Sequence, residues 1–532
     1  MQTADAERTG IARISLADIV RRSARRNPDK TAVIQGDRRI TFAVLDATSE
    51  RVGEALRDHG LAGRRIATMC VNSIEHLTAI QAIHKSGNVW VPVNVQLDAP
   101  SIEHVLSHAE VSGVFIDAAL FAVPALRSLV ERLDLLAVVI GGAHPAGVAD
   151  VSTLQFDALA SRAPSEPLAD PGSDDELALV MYTSGTTGKQ KGVMHSHRSI
   201  HGALLTCAQS FEATERDVVA SVLPLFHCAQ HTISMGALMT GATIWLANGF
   251  DPAAMLAAIA RERISWLSCL PMMFDALMKH PERPRTDLSS LRMCMYGLAP
   301  MPKNLLADVR REMCADVRLG TGQTEMYPPT MVYRASEHPD KDGNCWGLSV
   351  AGVETAVMDD DGRLLGPGEV GEIVHRGPNV FLGYLKDPEA TAAARRFGWH
   401  HTGDIGMFDA DGQMLFLDRK KDMIKSGGEN VSSIKLEAVL LAHPAVAGAA
   451  VVGLPHPHWG EAVAAFVVLR PAAAAGACGE DELLAFCKER LGRFEVPKSI
   501  RFVDGLPMTP TGKVQKYQLR TGHLALFASE EG

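Results

Sequence analysis

Short apolar runs alternate with segments of helical periodicity over most of the chain. The run ELALVMYT, residues 176–183, is typical of a buried strand. After Ser196, apolar residues recur at the spacing of an amphipathic helix, among them Ile200 and Phe211. We therefore expect a helix to follow the glycine-rich segment at residues 182–192.

The same order of signals repeats further along the chain. Asp251 and Pro252 are typical of a helix N-cap and a first-turn proline, and they precede the segment AAMLAAIARERI. The run SWLSCLP, residues 265–271, indicates the next strand. Strands that alternate with helices imply a largely parallel sheet covered by helices.

The pattern changes near residue 405. The segment IGMFDADGQMLFLDRKKD predicts a hairpin with Asp411 and Gly412 in its turn. The charged run DRKKD at 418–422 is the candidate boundary between domains at residues 1–420 and 421–532, with a solvated turn as the alternative.

Beyond this boundary the signals predict a small α+β domain. We expect helices and strands in the following order: a helix near 435–442, strands at 445–453 and 461–469, a helix near 481–491 and a strand at 499–503. The predicted fold class is thus α/β, with a large N-terminal α/β domain of helix-covered sheets followed by a small C-terminal α+β domain.

Composition narrows the functional classes. The chain has 532 residues and a net charge of -10, with no long basic run, which disfavours a nucleic-acid surface. Nine cysteines are scattered without a C-x-x-C pair, so buried reduced thiols are expected rather than a zinc site or disulfides. The polar start lacks a signal-peptide core, and no apolar stretch is long enough to span a membrane, which predicts a cytoplasmic protein.

The segment YTSGTTGKQKG, residues 182–192, carries the clearest chemistry. Backbone N–H groups of glycine-rich turns cradle anions, and hydroxyl and lysine side chains add donors and positive charge. The segment lacks the G-x-x-x-x-G-K-[ST] spacing of a P-loop. The residues alone leave a phosphate site and a flexible surface turn as alternatives.

The segment YTSGTTGKQKGV closely resembles the phosphate-binding signature of the adenylate-forming superfamily, which includes acyl-CoA synthetases, peptide-synthetase adenylation domains and luciferases. Later motifs resemble that family in the same order and at comparable spacing: LPLFH (223–227), GQTE (322–325), HTGD (401–404), DRKKDMIKSGGENV (418–431) and PMTPTGKVQK (507–516). The resemblance covers nearly the whole chain.

The resemblance implies a reaction that joins a carboxylate to the α-phosphorus of ATP and releases pyrophosphate. Thr324 is then assigned to the α-phosphate, Glu325 to Mg²⁺, Asp404 to the ribose hydroxyls and Arg419 to support at the ribose. The other implied ATP-binding residues are Thr183, Ser184, Gly185, Thr186, Thr187, Gly188, Lys189, Lys191, Gly297, Leu298, Ala299, Pro300, Gly322 and Gln323.

The resemblance also assigns roles in the small domain. Lys513 matches the catalytic lysine that bridges the attacking carboxylate and the α-phosphate, although a lysine on such a loop is usually a solvated charge. Lys421 matches a hinge about which the small domain swings after adenylation. Lys425, Gly427 and Gly428 match the segment that then approaches the thiol channel, with a plain turn as the alternative.

The acyl pocket is expected to draw on His227, Tyr296, Gly297 and Leu298. A partly buried histidine with satisfied hydrogen bonds is an equal alternative for His227. Two positions depart from the family pattern. Thr321 stands where many members carry an aromatic residue that stacks on adenine, and Leu298 stands where a smaller residue is common, which favours a shorter or flatter acid.

The leading functional interpretation is an acid–CoA ligase that uses ATP, Mg²⁺ and coenzyme A, with an apolar carboxylic acid, fatty or aromatic, as its small-molecule substrate. A second keeps adenylation but transfers the acyl group to an amine or to a carrier-protein thiol. A third is a nucleotide-binding scaffold with a decayed site, which the intact set of motif residues disfavours. No nucleic acid or membrane span is expected, and a homodimer is left open.

Overall fold

The computed structural model describes residues 13–142, 152–163, 174–183, 190–341, 344–471, 478–508 and 514–527. The chain forms two compact units. The first unit contains residues 1–355 and 375–400, and the second contains residues 356–374 and 401–532. The boundary predicted at residues 420 and 421 stays a prediction.

The helices that follow are numbered in chain order: α1 (Asp18–Arg26), α2 (Phe42–Asp58), α3 (Ile74–Lys85), α4 (Ala99–His108), α5 (Ala118–Phe121), α6 (Pro124–Arg132), α7 (Phe156–Ala160), α8 (His197–Ser210), α9 (Cys228–Thr240), α10 (Pro252–Glu262), α11 (Pro271–Lys279), α12 (Lys303–Glu312), α13 (Pro388–Ala393), α14 (Ser433–Leu441), α15 (Glu480–Lys488) and α16 (Lys516–Gly522). Short 3₁₀ turns lie at Arg283–Arg285, Thr324–Met326 and Arg396–Gly398.

The strands of the first half of the chain are β1 (Thr31–Gln35), β2 (Arg38–Thr41), β3 (Arg65–Met69), β4 (Val89–Pro92), β5 (Gly113–Asp117), β6 (Leu136–Ile140), β7 (Thr153–Gln155), β8 (Leu177–Thr183), β9 (Lys191–Ser196), β10 (Val218–Ser221), β11 (Thr243–Leu246) and β12 (Trp266–Cys269).

The remaining strands are β13 (Met293–Tyr296), β14 (Val317–Thr321), β15 (Met331–Arg334), β16 (Cys345–Ser349), β17 (Glu354–Met358), β18 (Gly371–Arg376), β19 (Gly383–Tyr384), β20 (His400–Phe408), β21 (Met414–Arg419), β22 (Ile424–Ser426), β23 (Glu429–Val431), β24 (Val446–His456), β25 (Gly460–Leu469) and β26 (Ser499–Phe502).

Two mixed sheets organise the first unit. One runs β16-β15-β14-β13-β12-β10-β11-β1-β2, and the other is an eight-stranded sheet in the order β19-β9-β8-β4-β3-β5-β6-β7. The pairs β10/β11, β12/β13, β3/β4 and β3/β5 are parallel, whereas β14/β15, β8/β9 and β9/β19 are antiparallel. The predicted strand-helix-strand order, with Asp251 capping α10 through the N–H of Ala254, is confirmed.

Helices cover both faces of the eight-stranded sheet. Successive side chains of a strand point to opposite faces. On β8, Leu179 packs into an apolar core that includes Phe42 and Leu77, whereas Val180 packs into a separate core with Ile102. A strand that is buried on both faces reads as a continuous apolar run, which explains the ELALVMYT pattern.

The second unit contains the sheet order β17-β18-β20-β21 and a five-stranded sheet in the order β23-β22-β25-β24, with β26 parallel to β25. The hairpin predicted around Asp411 and Gly412 is confirmed by the antiparallel pair β20/β21. Helices α14 and α15 contribute Leu436 and Leu483 to a core with Val451 and Val463. The predicted α+β architecture of the C-terminal region is thus confirmed.

Two further expectations concern the whole chain. All nine cysteines are free and buried, in agreement with the expected reduced thiols. Among the helices of the described residues, none combines the length and the apolar character that crossing a membrane requires.

Candidate functional site

The glycine-rich segment joins two antiparallel strands. Thr183 at the end of β8 lies opposite Lys191 at the start of β9, so the strands close at the base of the segment. The predicted ATP-binding residues Ser184, Gly185, Thr186, Thr187, Gly188 and Lys189 lie outside the described residues. The expected helix exists, but β9 intervenes before Ser196 caps α8. The predicted helix is thus confirmed, whereas strand β9 and its pairing with β8 were not predicted from the apolar pattern.

Two histidines of α4 contact the two ends of this segment. The His104 Nε2 atom lies 3.2 Å from the carbonyl oxygen of Gln190, and the His108 Nδ1 atom lies 2.8 Å from the hydroxyl of Tyr182. The two imidazoles stack with 5.2 Å between ring centroids. These contacts fix the base of the segment from a neighbouring helix.

Glu325 lies beside Tyr384 and Lys191. The Tyr384 hydroxyl donates to Oε1 of Glu325 at 2.8 Å, and Lys191 Nζ lies 4.8 Å from the centre of the Tyr384 ring. Lys191 also lies 3.8 Å from a carboxylate oxygen of Asp387. Burial and the Glu325 charge raise the pKa of Tyr384, so its hydroxyl stays protonated and keeps donating. One side chain thus connects the predicted phosphate-binding lysine with the predicted metal-binding carboxylate.

Thr324 is held from its backbone side by a buried histidine. The Nε2–H of His195 donates to the carbonyl oxygen of Thr324 at 2.7 Å, and burial lowers the pKa of His195 to about 4. The imidazole is therefore neutral near pH 7. The Thr324 hydroxyl lies 3.6 Å from Sγ of Cys228, the first residue of α9.

His227 caps α9 directly before Cys228. Its Nδ1 accepts the backbone N–H of Ala229 at 3.3 Å, and its backbone N–H donates to Pro224. The next residue, Cys228, contacts Thr324 of the GQTE turn. His227 therefore directly precedes a residue that touches this turn. The helix-capping contact agrees with the structural alternative for His227, while its role in an acyl pocket stays a prediction.

The GQTE turn is further fixed by its neighbours. A Cβ atom at Gly322 would lie 2.6 Å from Cβ of Pro328, so a larger residue does not fit there. Gln323 Oε1 lies 3.1 Å from Nε2 of His400. The buried Tyr327 hydroxyl lies 2.6 Å from Nδ1 of His231, whose pKa burial lowers to about 3.

The predicted adenine and acyl segment, residues 296–300, begins at the last residue of β13. Tyr296 is fully buried within that strand, whereas Leu298 is 39% exposed and has a left-handed backbone with φ 66°. Gly297 approaches the backbone of Gly320, since a Cβ atom there would lie 3.0 Å from the Gly320 oxygen. Thr321 ends β14 and bonds to the Met331 carbonyl at 3.5 Å. The places of Ala299 and Pro300 in adenine binding stay predictions.

The second unit brings together the two residues predicted for the ribose. Asp404 on β20 and Arg419 on β21 are cross-strand partners, with Nε of Arg419 3.1 Å from Oδ1 of Asp404. The Asp404 side chain is 4% exposed and that of Arg419 is 44% exposed. Lys421, the predicted hinge residue, is half-buried, and burial lowers its pKa.

The predicted thiol-channel residues form a tight hairpin between β22 and β23. Gly427 and Gly428 both have positive φ, 60° and 90°, as a two-residue hairpin turn requires. The N–H of Lys425 donates to Glu461. The turn alone accounts for both glycines, and their role at a thiol channel stays a prediction.

Lys513 lies outside the described residues, so its catalytic role also stays a prediction. Sequence reasoning missed His195, Tyr384, His104 and His108. Glu325 and Tyr384 are 59 positions apart, and His195 and Thr324 are 129 positions apart. No local motif joins such pairs, although His195 lies two residues after the end of the glycine-rich signature at Val193.

Family comparison identifies the class of this chain. Residues 20–385 match the family described as AMP-binding enzyme, and residues 435–513 match the AMP-binding enzyme C-terminal domain. The chain belongs to the AMP-binding enzyme family, and the predicted resemblance to adenylate-forming enzymes is confirmed.

Individual relatives are named for acid–CoA ligase activities. A feruloyl-CoA synthase of Amycolatopsis is 36% identical over 506 residues, which cover 94% of this chain and 97% of that protein. The long-chain-fatty-acid–CoA ligase FadD13 of Mycobacterium tuberculosis is 34% identical over 494 residues, which cover 92% and 94%. The solved structure of the amide bond synthetase McbA from Marinactinospora thermotolerans is 29% identical with a TM-score of 0.85, over 95% of this chain and 99% of that chain.

Proposed function

We propose that this protein is an ATP-dependent acid–CoA ligase. It activates a carboxylic acid as acyl-AMP with release of pyrophosphate and then transfers the acyl group to the thiol of coenzyme A with release of AMP. The observation that carries the proposal is the Thr324–Glu325 turn, which lies beside Lys191 across the ring of Tyr384. The names of the full-length relatives support the same reaction class.

The first half-reaction must bring two anions together. A carboxylate oxygen attacks the α-phosphorus, and the bond from that phosphorus to the pyrophosphate oxygen breaks. Lys191 and the N–H groups and hydroxyls of the glycine-rich segment are assigned to the β- and γ-phosphates, and Thr324 to the α-phosphate. Cationic and hydrogen-donating groups lower the repulsion as charge builds up in the transition state.

Glu325 is the proposed Mg²⁺ ligand. Its carboxylate supplies hard oxygen atoms, and Tyr384 orients one of them. This donor set fits Mg²⁺, which favours one or two carboxylates together with phosphate oxygens and waters. When bound, Mg²⁺ would neutralise part of the phosphate charge.

The second unit is assigned the ribose and the catalytic lysine. The Asp404 carboxylate has two acceptor oxygens, which suits the two hydroxyls of a ribose, and Arg419 supports it. Lys513 is proposed to bridge the attacking carboxylate and the α-phosphate. Lys421 is proposed as the hinge that removes Lys513 and admits the thiol beside Lys425, Gly427 and Gly428 in the second half-reaction.

The proposed substrate is an apolar fatty or aromatic acid, which the named relatives support. His227, Tyr296, Gly297 and Leu298 are the proposed pocket residues. One alternative acceptor has specific support, because McbA is named as an amide bond synthetase and shares the fold over 95% of this chain. An amine would then replace the CoA thiol after the same adenylation. We also propose a cytoplasmic location.

The decisive experiment is a pyrophosphate-release screen over aliphatic and aromatic acids. Each active acid is then supplied with CoA or with an amine, and the product mass is measured. Release of pyrophosphate together with a product that is heavier than the acid by the mass of CoA less one water supports the ligase. An amide product supports the alternative acceptor, and no release with any acid contradicts both.

A further inference from the structure

The second unit contains a buried ion pair that the proposed chemistry does not use. Lys516, the first residue of α16, places its Nζ 2.7 Å from Oε1 of Glu437 on α14, and the two side chains are 12% and 16% exposed. The N–H of Val451 also donates to this oxygen at 2.8 Å. Taking two charges out of water is costly, and an apolar pair often stabilises a fold equally well. The ion pair is therefore weak evidence of a purely stabilising role.

The Lys516 ammonium makes a second contact that continues toward the hairpin β20/β21. It donates to Oγ of Ser433 at 2.6 Å. The Ser433 hydroxyl and backbone N–H in turn donate to Oδ2 of Asp418, at 2.7 and 2.6 Å. Asp418 and Ser433 are completely buried. In a buried polar network each hydrogen bond orients the next.

The network ends at the proposed ribose pair. The other carboxylate oxygen of Asp418, Oδ1, accepts the backbone N–H of Arg419 at 2.7 Å. The Arg419 guanidinium then contacts Asp404 at 3.1 Å. A continuous polar path therefore runs from Lys516 through Ser433 and Asp418 to Arg419 and Asp404.

A second ion pair connects helix α16 to residues 418–422. Arg520 lies one turn after Lys516 on α16, and its Nη1 is 3.2 Å from Oδ1 of Asp422. Residues at i and i+4 share one face of a helix. That face of α16 is thus tied at one end through Ser433 to Asp418 and at the other directly to Asp422.

We propose that Lys516 is a positioning residue for ribose recognition. It acts through Ser433 and Asp418 to hold the backbone of Arg419, and hence the Arg419–Asp404 pair, in the orientation that accepts a vicinal diol. The inference rests on the proposed function, since it requires that the protein bind ATP. It assigns no contact between Lys516 and the nucleotide.

The test compares ATP with 2′-deoxy-ATP and 3′-deoxy-ATP in acid-dependent ATP–pyrophosphate exchange. The ratio of kcat/KM for ATP to that for each deoxy analogue reports the diol contact. We expect Lys516→Met to lower this ratio by about tenfold, the scale of one hydrogen bond to a charged group. Lys516→Arg keeps a cationic donor and is expected to restore most of the ratio. Asp404→Ala is the reference variant, in which the preference for ATP over the deoxy analogues is expected to be lost completely.

Two controls separate positioning from general damage. Lys488→Met removes an exposed lysine at the end of α15 and is expected to leave the ratio unchanged. Lys516→Met leaves the buried Glu437 carboxylate without its cationic partner. The double variant Lys516→Met/Glu437→Gln removes both charges and is measured beside it. The variant Ser433→Ala, which changes no charge, is measured as well. Each variant is used only with a thermal unfolding transition like that of the parent protein.

The possible results separate a failure of the proposed function from a failure of the role assigned to Lys516. Absence of exchange by the parent protein with every acid of the screen contradicts the proposed function itself. If the parent protein shows exchange but its kcat/KM for ATP equals that for the deoxy analogues, Asp404 does not recognise the ribose hydroxyls, and the inference is overturned. A folded Lys516→Met or Ser433→Ala protein that keeps the parental ratio overturns the inference alone, while a loss shared by both variants and reversed by Lys516→Arg supports it.

Discussion

The hydroxyl of Tyr384 donates a hydrogen bond to Glu325, the proposed metal ligand. Tyr384→Phe removes its bond to Glu325 but keeps the ring beneath Lys191. A hydrogen bond to a charged group contributes roughly 1.5–3 kcal/mol. We expect the half-saturating Mg²⁺ concentration to rise by about tenfold with little change in thermal stability. The measurement is Mg²⁺ dependence of pyrophosphate release, together with calorimetric titration of Mg²⁺–ATP binding.

The matched control for this change is Tyr517→Phe, because Tyr517 is an exposed tyrosine of the second unit. It is expected to leave Mg²⁺ dependence unchanged. Equal Mg²⁺ dependence of Tyr384→Phe and the parent protein would show that the hydroxyl does not orient a metal ligand.

His195 controls the backbone of Thr324 rather than its hydroxyl. His195→Ala leaves the Thr324 carbonyl without its donor at a partly buried site, and an unsatisfied buried acceptor costs roughly 1–3 kcal/mol. His195→Gln places an amide donor near the same point. We expect the alanine variant to lose about tenfold in kcat/KM for ATP and the glutamine variant to recover part of that loss. ATP–pyrophosphate exchange measures both, and equal losses in the two variants would argue against a hydrogen-bonding role.

The turn that carries GQTE tolerates no side chain at its first residue. Gly322→Ala would place Cβ 2.6 Å from Cβ of Pro328, a rigid ring atom, and forced shifts of this kind typically cost about 1–3 kcal/mol. We expect a lower thermal midpoint together with weaker ATP binding, because Thr324 and Glu325 move with the turn. Gly505→Ala, where a new Cβ meets no atom within 4 Å, is the control. Normal ATP affinity in Gly322→Ala would separate the turn from the site.

The helices and strands were easier to predict from the sequence than the pairing of the strands with one another. The ELALVMYT strand, the Asp251 cap and the β20/β21 hairpin each depend on residues close together in the chain, so local patterns predict them. Strand β9 was missed, because KGVMHS lacks a clear alternation and its burial depends on its partner β8.

In the candidate site, the motif residues were predictable from the sequence, whereas the residues that support them were not. The resemblance supplied Thr324, Glu325, Asp404 and Arg419, because these residues belong to contiguous motifs. The residues that support them, such as Tyr384, come from elements far away in the sequence. Their role is visible only once the fold brings a hydroxyl or an imidazole to a motif residue, and one sequence contains no signal for such a contact.

Buried neutral histidines make the whole chain sensitive to acid. Burial lowers the pKa of His76, His195 and His197 to about 4 and of His375 to about 3. An unfolded histidine takes up a proton near pH 6.5, so between roughly pH 6.5 and 4 the unfolded state binds more protons. Stability therefore falls as pH falls through this window, by up to about 1.4 kcal/mol per pH unit for each such histidine.

Thermal midpoints at pH 7.5, 6.5, 5.5 and 4.5, measured at one ionic strength, test this dependence. We expect a flat midpoint above pH 6.5 and a steep decline below it. His195→Gln removes one of the titrating groups and is expected to reduce the slope. A midpoint that is independent of pH from 6.5 to 4.5 would contradict the buried, neutral state of these histidines.

The proposed hinge can be tested through the separation of the two half-reactions. Lys421 follows β21, and none of the backbone hydrogen bonds described for this region uses its N–H, so Lys421→Pro removes no described bond while it fixes φ at one value. If residue 421 must rotate between the two steps, acyl-adenylate formation stays within about threefold of the parent rate and thioester formation falls by at least about tenfold, since a restricted torsion removes one of the two arrangements. Lys421→Ala keeps the torsion free and is expected to support both steps. Rapid-quench measurement of acyl-AMP and acyl-CoA distinguishes them, and a parallel loss of both steps in the proline variant would place the rotation elsewhere.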